Sequence, residues 1–129
     1  MPHVIINSNI EFSLIHDRFQ RKEYRYSLKD KINILKLTDS YQNSLKNKIL
    51  IHTVCIENNS TTEYFVELMK KFDQITIRLF PLTYPEHKTE NIMCSLAFLL
   101  STIREANKGN TFIVLKTNIQ PYLDEFSEP

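Results

Sequence analysis

Ser27-Leu28-Lys29-Asp30-Lys31-Ile32-Asn33-Ile34-Leu35-Lys36-Leu37 is the stretch on which the fold turns. Ser27 followed three residues later by Asp30 has the form of a helix N-cap with a carboxylate in the first turn, where the helix dipole favours negative charge. Leu28, Ile32 and Leu35 recur at helical spacing, and Ile34, Leu37, Tyr41 and Leu45 broaden them into an apolar stripe. The pattern predicts a helix over 27–45, set between two strands. Upstream, Pro2 to Ser8 reads as a strand with Val4 and Ile6 on one face and His3, Ile5 and Asn7 on the other. Residues Asn9 to Tyr26, mixed and charged, read as a long loop or short irregular helix.

Downstream, Lys48 to Glu57 reads as a strand: Ile49, Ile51, Thr53 and Cys55 alternate with Leu50, His52, Val54 and Ile56. Apolar residues on both of its faces predict cover on both sides. Asn58-Asn59-Ser60 is a turn cluster. Thr61 to Lys71 reads as a short helix carrying Phe65, Leu68 and Phe72 on one side, and Asp73 to Leu82 as a third strand. Pro85 suits the first position of a helix whose face runs through Ile92, Leu96, Leu99 and Ile103 and which ends at Lys108-Gly109. Thr111 to Thr117 completes a fourth strand, and Tyr122 to Phe126 forms a brief extra strand or arm. The order β-α-β, then β-α-β, predicts a two-layer α/β fold. It is a single domain over residues 1–129, with a four-stranded sheet and two helices on one face. The other sheet face is left apolar, and oligomerisation covers it.

The composition narrows the function classes. The 129 residues suffice for one core, and 42% hydrophobic against 24% charged residues is the balance of a soluble globular protein. Lys+Arg 16 against Asp+Glu 15 leaves a net charge of +1, which argues against nucleic acid or an anionic membrane as partner. No apolar run is long enough to span a bilayer, and no secretory signal opens the chain. Cys55 and Cys94 sit in apolar segments without metal-ligand spacing, so they read as reduced thiols of a cytoplasmic protein. The single glycine, Gly109, excludes a phosphate loop or a dinucleotide fingerprint.

Met1-Pro2-His3-Val4-Ile5-Ile6, followed by Ser8-Asn9-Ile10-Glu11 and a doubled β-α-β order, resembles the tautomerase superfamily. Within it, the stretch looks most like the 5-carboxymethyl-2-hydroxymuconate isomerase family. The resemblance implies a cofactor-independent isomerase of aromatic-compound catabolism, assembled as a homotrimer. It implies that Pro2, as an N-terminal secondary amine, moves a proton between carbons of a small unsaturated keto acid. Burial and neighbouring cations would lower the pKa of such an amine until it served as a base near neutrality. The chain departs from the family where arginines usually hold the substrate carboxylates: Ile49-Leu50-Ile51-His52-Thr53-Val54 and Phe80-Pro81-Leu82-Thr83-Tyr84-Pro85 contain none. The alternatives are therefore a weakened or inactive tautomerase-fold trimer acting as a binding or structural protein, and a hydratase or decarboxylase of the same superfamily.

The candidate catalytic residue is Pro2, against the reading of a frayed terminus. The candidate substrate-binding residues are Arg78, His52 and Tyr84. Arg78 reads equally as a carboxylate-binding cation and as an interface salt-bridge partner. His52 reads first as a hydrogen-bonded core histidine and second as a donor to an anion. Tyr84 reads as a packing residue or as a phenolic donor to a carbonyl oxygen. His3, His16, His52 and His87 lack metal-ligand spacing, so no metal site is expected, and the resemblance implies no metal or organic cofactor.

Overall fold

The computed structural model describes residues 2–8, 10–28, 31–57, 60–80, 90–106 and 112–125. Their order is β1 (His3–Ser8), α1 (Phe12–Arg18), β2 (Lys22–Leu28), β3 (Lys31–Gln42), β4 (Lys48–Glu57), β5 (Ser60–Lys71), β6 (Gln74–Leu79), α2 (Glu90–Ala106), β7 (Phe112–Thr117) and α3 (Gln120–Glu125). The strands form one sheet in the order β2-β3-β4-β5-β6-β1-β7, curled into a half-barrel. Every neighbouring pair is antiparallel.

This corrects the expected fold. There are seven strands and three helices among the described residues, not four strands and two helices, and no β-α-β unit links parallel neighbours. The deciding stretch is not a helix: β2 and β3 are strands paired from Lys22↔Leu37 to Leu28↔Lys31. The reason lies in a period of two that the apolar stripe concealed. Asn33, Leu35 and Leu37 are buried, while Ile32 and Lys36 are exposed and Ile34 is half-buried between them. With apolar residues on both faces, a helical and an extended reading fit the same positions.

Residues 61–71 misled in the same way. Tyr64, Val66 and Leu68 are buried on one face of β5, Phe65 and Met69 lie on the other, and Phe72 is exposed in the turn beyond. Thr61-Thr62 and Tyr64-Phe65-Val66 are residues that suit a pleated surface, and they set the local preference. The segment read as a long loop or short irregular helix contains the short helix α1 and also the strand β2, and the stretch read as a brief extra strand or arm contains α3. The strands expected near 2–8, 48–57 and 111–117 do occur, as does the helix through Ile92, Leu96, Leu99 and Ile103. The Asn58-Asn59 turn and the Pro85 and Gly109 helix signals lie outside the described residues.

The core lies on one face of the sheet. Val4 and Ile6, Leu35 and Leu37, Ile49 and Ile51, Val66 and Leu68, and Ile75, Ile77 and Leu79 all point into it. α2 crosses this face with Ile92, Leu96, Leu99, Leu100 and Ile103 buried. Each such side chain contributes roughly 1.5–3 kcal/mol by leaving water. Tyr64 on β5 donates to Ser95 Oγ on α2, and Ser95 in turn donates to the Ile92 carbonyl at 2.7 Å. At the far edge, the Phe98 ring meets Tyr24 and Tyr26 of β2 at 5.0 and 5.5 Å between centroids. Phe12, Ile15 and Phe19 bury one side of α1, and Ile119 and Leu123 bring α3 into the same core.

Candidate functional site

Alternation dictates what occupies the other face. Ile5 and His3 of β1, Ile34 of β3, Leu50, His52, Val54 and Ile56 of β4, Phe65, Glu67 and Met69 of β5, and Thr76 and Arg78 of β6 all point away from the core. Among the described residues no helix lies on this face. An antiparallel sheet with a solvated face normally turns polar residues outward, and here half of the outward residues are apolar or aromatic.

Two arrangements organise the face. The first is an aromatic row across three strands. The His52 and Phe65 rings lie 5.1 Å apart and the Phe65 and Phe80 rings 6.5 Å apart, with Phe80 held by its N–H donating to the Phe65 carbonyl at 2.9 Å. The second is the Arg78–Glu67 pair, matched directly across β6 and β5. Arg78 Nε and Nη2 reach Glu67 Oε1 at 2.8 and 2.7 Å, and Glu67 is buried. Beside them, Tyr41, Lys48, Leu50, Glu67 and Phe80 border an open, mainly apolar cleft of about 310 Å³.

Removing Arg78 alone strands a buried carboxylate. Arg78→Ala is expected to lower unfolding free energy by about 2–3 kcal/mol, at the low end because the guanidinium is one-third exposed. Arg78→Met with Glu67→Leu is expected to restore stability to within about 1 kcal/mol of the parent in a denaturant titration. A double variant as unstable as the single one would show that the pair's worth lies elsewhere than in mutual neutralisation.

The candidate residues separate onto two faces. His52 and Arg78 share the open face, two strands apart. Pro2 is buried at the head of β1, where its carbonyl accepts from the Leu79 N–H at 3.3 Å. By alternation with Val4 and Ile6 it belongs to the core side, away from His52 and Arg78. Met1 and Tyr84 lie outside the described residues.

Two hydroxyl–imidazole pairs went unseen in the sequence because they depend on tertiary register. His16 Nδ1 lies 2.8 Å from Ser40 Oγ where α1 crosses β3. Gln20 is fixed in orientation by the Ser40 backbone, donating to its carbonyl at 3.0 Å and accepting from its N–H at 3.4 Å. The Gln20 amide nitrogen also lies against the His16 ring, 3.1 Å from Nε2 and 3.5 Å from Nδ1. Together these contacts clip α1 to β3.

In the second pair, Thr38 Oγ1 bonds His52 Nδ1 at the β3 bulge between Leu37 and Asp39. Glu63 stands 4.0 Å from His52 Nε2 and is 69% exposed. At that distance and exposure the carboxylate does not lock the ring in the tautomer that a base needs. Among the described residues no group of three or more His, Cys, Asp or Glu is placed to hold a metal ion, and no helix is long and apolar enough to cross a membrane.

No protein-family model matches the chain, and no curated protein or solved structure is significantly similar to it. With the seven-stranded topology, this overturns the resemblance to the tautomerase superfamily and to 5-carboxymethyl-2-hydroxymuconate isomerase. The isomerase activity, its unsaturated keto-acid substrate, the homotrimer and the inactive-tautomerase alternative all rested on that frame and fall with it.

Proposed function

We propose that this chain is a single-domain interaction module, not a catalyst, whose open sheet face packs against the same face of a second copy in a two-fold dimer. One observation carries the reading: Leu50, Val54, Ile56, Phe65 and Phe80 form an apolar and aromatic surface on the side of the sheet that no described element covers. The sequence of β4 already demanded apolar surroundings on both sides, and the helices supply only one of them.

Area and charge support a second copy as occupant. β3, β4, β5, β6 and β1 hold 46 residues, and at about 3.3 Å per residue and about 4.8 Å between strands they present roughly 700 Å². That is close to the ~800 Å² each partner buries in a standard interface. Lys36, Lys48 and Arg78 are balanced by Asp39, Glu63 and Glu67, so two such faces meet without opposing fields of one sign. Arg78 and His52 act here as polar groups within an interface. The setting is cytoplasmic, supported by Cys55 and Cys94, which are buried and unbridged as a reducing compartment keeps them.

Analytical ultracentrifugation tests the reading. The parent is expected to sediment as a dimer at micromolar concentration, and Leu50→Lys, which faces Glu67, with Phe65→Ser as a monomer. The monomer's unfolding free energy is expected to fall by about 1–2 kcal/mol, since Phe65 is half-buried against the His52 and Phe80 rings but neither residue lies in the core. A parent that stays monomeric at high micromolar concentration, or a variant that still dimerises, overturns it.

A further inference from the structure

A second surface lies off both faces, at the end of the sheet where two hairpins turn. β3 and β5 both run toward this end, so the β3–β4 connection (Asn43–Asn47) and the β5–β6 turn (Phe72–Asp73) stand side by side. They are tied together: the Lys70 N–H donates to the Asn47 carbonyl at 2.8 Å, and Lys48 pairs with Met69. The first tip is pinned by Asn43. Its Oδ1 accepts from the Asn47 and Lys48 N–H groups, both at 3.0 Å, and its Nδ2 donates to Asn47 Oδ1 at 2.6 Å.

These built tips present the wrong residues for solvent. Leu45 is 78% exposed and Phe72 is 87% exposed, the highest of the large apolar side chains among the described residues. Phe72 also holds φ 57, a left-handed conformation that glycine or asparagine adopts at far lower cost. A bulky ring is thus kept both strained and in water, and a medium that accepts the ring offsets both costs.

The surrounding charge says which medium. Lys46, Lys48 and Lys71 are exposed around the two apolar residues, and Lys70 reaches across to the Ile10 carbonyl at 3.4 Å. Asp73 in the turn, Glu11 next to Ile10, and Glu67, which borders the cleft with Lys48 and pairs with Arg78, are the acidic residues nearby, so four lysines and Arg78 face three carboxylates. The chain as a whole is +1, so the excess is local. Protein interfaces deplete lysine, whereas lysines around protruding apolar side chains suit an anionic bilayer. There the stems enter the apolar boundary while the ammonium groups meet the headgroups.

We propose that this end of the sheet docks on a bilayer containing anionic phospholipid. Leu45 and Phe72 enter the boundary between headgroups and acyl chains, and Lys46, Lys48, Lys70 and Lys71 lie against the headgroups. The surface is separate from the open sheet face, so the two assignments stand or fall apart.

Vesicle co-sedimentation of the full chain tests it. The protein is expected to partition onto phosphatidylserine-rich vesicles and to leave pure phosphatidylcholine vesicles largely unbound. Leu45→Ser with Phe72→Ser, and separately Lys46→Glu with Lys71→Glu, are each expected to weaken partitioning at least about tenfold. All four sites are exposed, and unchanged circular dichroism and melting would confirm that both variants are folded. Phe72→Trp is expected to shift its emission to the blue on the anionic vesicles. Equal partitioning onto both vesicle types overturns the proposal. So does retention of binding in the serine variant or an unshifted Trp emission, either of which would mean surface adsorption without insertion.

Discussion

Raising the pH above about 10 is expected to destabilise this protein steeply, through tyrosines that cannot ionise in place. Tyr64 is buried in the core, and burial pushes its phenol well above the ordinary tyrosine range, helped by the Cys55 thiol and only partly offset by Ser95. Tyr26, whose hydroxyl lies 4.0 Å from Cys55 Sγ, is raised first by burial and then by Cys55 and Tyr64. Below about pH 10 both folded and unfolded chains keep these protons, so no stability is lost. Above it the unfolded chain releases them and the folded chain does not. The unfolded state then binds fewer protons, and stability falls as pH rises by about 1.4 kcal/mol per unit for each tyrosine. Two tyrosines give about 2.7 kcal/mol per unit, or roughly 5 kcal/mol two units above the free phenol pKa. That is a large part of the ~5–15 kcal/mol that holds a typical domain folded. Urea titrations across the alkaline range measure the slope, and Tyr64→Phe is expected to halve it. A stability that stays level two units above the free phenol pKa would refute the buried placement of these rings.

Phe19→Ala is expected to cost about 3–5 kcal/mol, as for other fully buried aromatic deletions. Phe19 follows the last residue of α1, its N–H donating to the Ile15 carbonyl at 3.2 Å, and its ring is wholly buried. A seven-residue helix has too little cooperativity to hold itself in water, so Phe12, Ile15 and Phe19 must hold it on the sheet. Amide exchange in α1 should therefore rise in the variant more than exchange in β4. Phe19→Leu is expected to recover most of the loss, because it refills most of the cavity. A loss below about 1 kcal/mol would show that α1 is not anchored through this ring.

The same residues show how far the sequence could be read. Phe12, Ile15 and Phe19 stand at helical spacing, yet the charges between them let 9–26 be read only as a long loop or short irregular helix. α2 was legible because its apolar stripe is one-sided and long. β1 was legible because it is short and led by the β-branched Val4, Ile5 and Ile6. β3 and β5 were not, because Ile34 and Phe65 put apolar residues on the face away from the core. A second apolar face mimics the broad stripe of a helix, and only pairing with a neighbouring strand decides between the two. His52 and Arg78 could be singled out by type and strand position. That β5 stands between them with Phe65 and Glu67, and that Thr38 reaches His52 at a bulge, are matters of register.

By itself the sequence determined which segments are apolar enough to be buried, the near-zero overall charge, and an excess of apolar residues on β4 that one covering layer could not satisfy. The tertiary structure alone decided that the chain forms one antiparallel sheet, with β2 to β6 a meander and β1 set between β6 and β7, rather than two β-α-β units. It alone separated Pro2 from His52 and Arg78, and it gathered four lysines, Leu45 and Phe72 at one end. The physical reason is common to all three. Local pattern specifies whether a side chain faces a core, but hydrogen-bonded register between strands distant in the chain specifies which side chains meet.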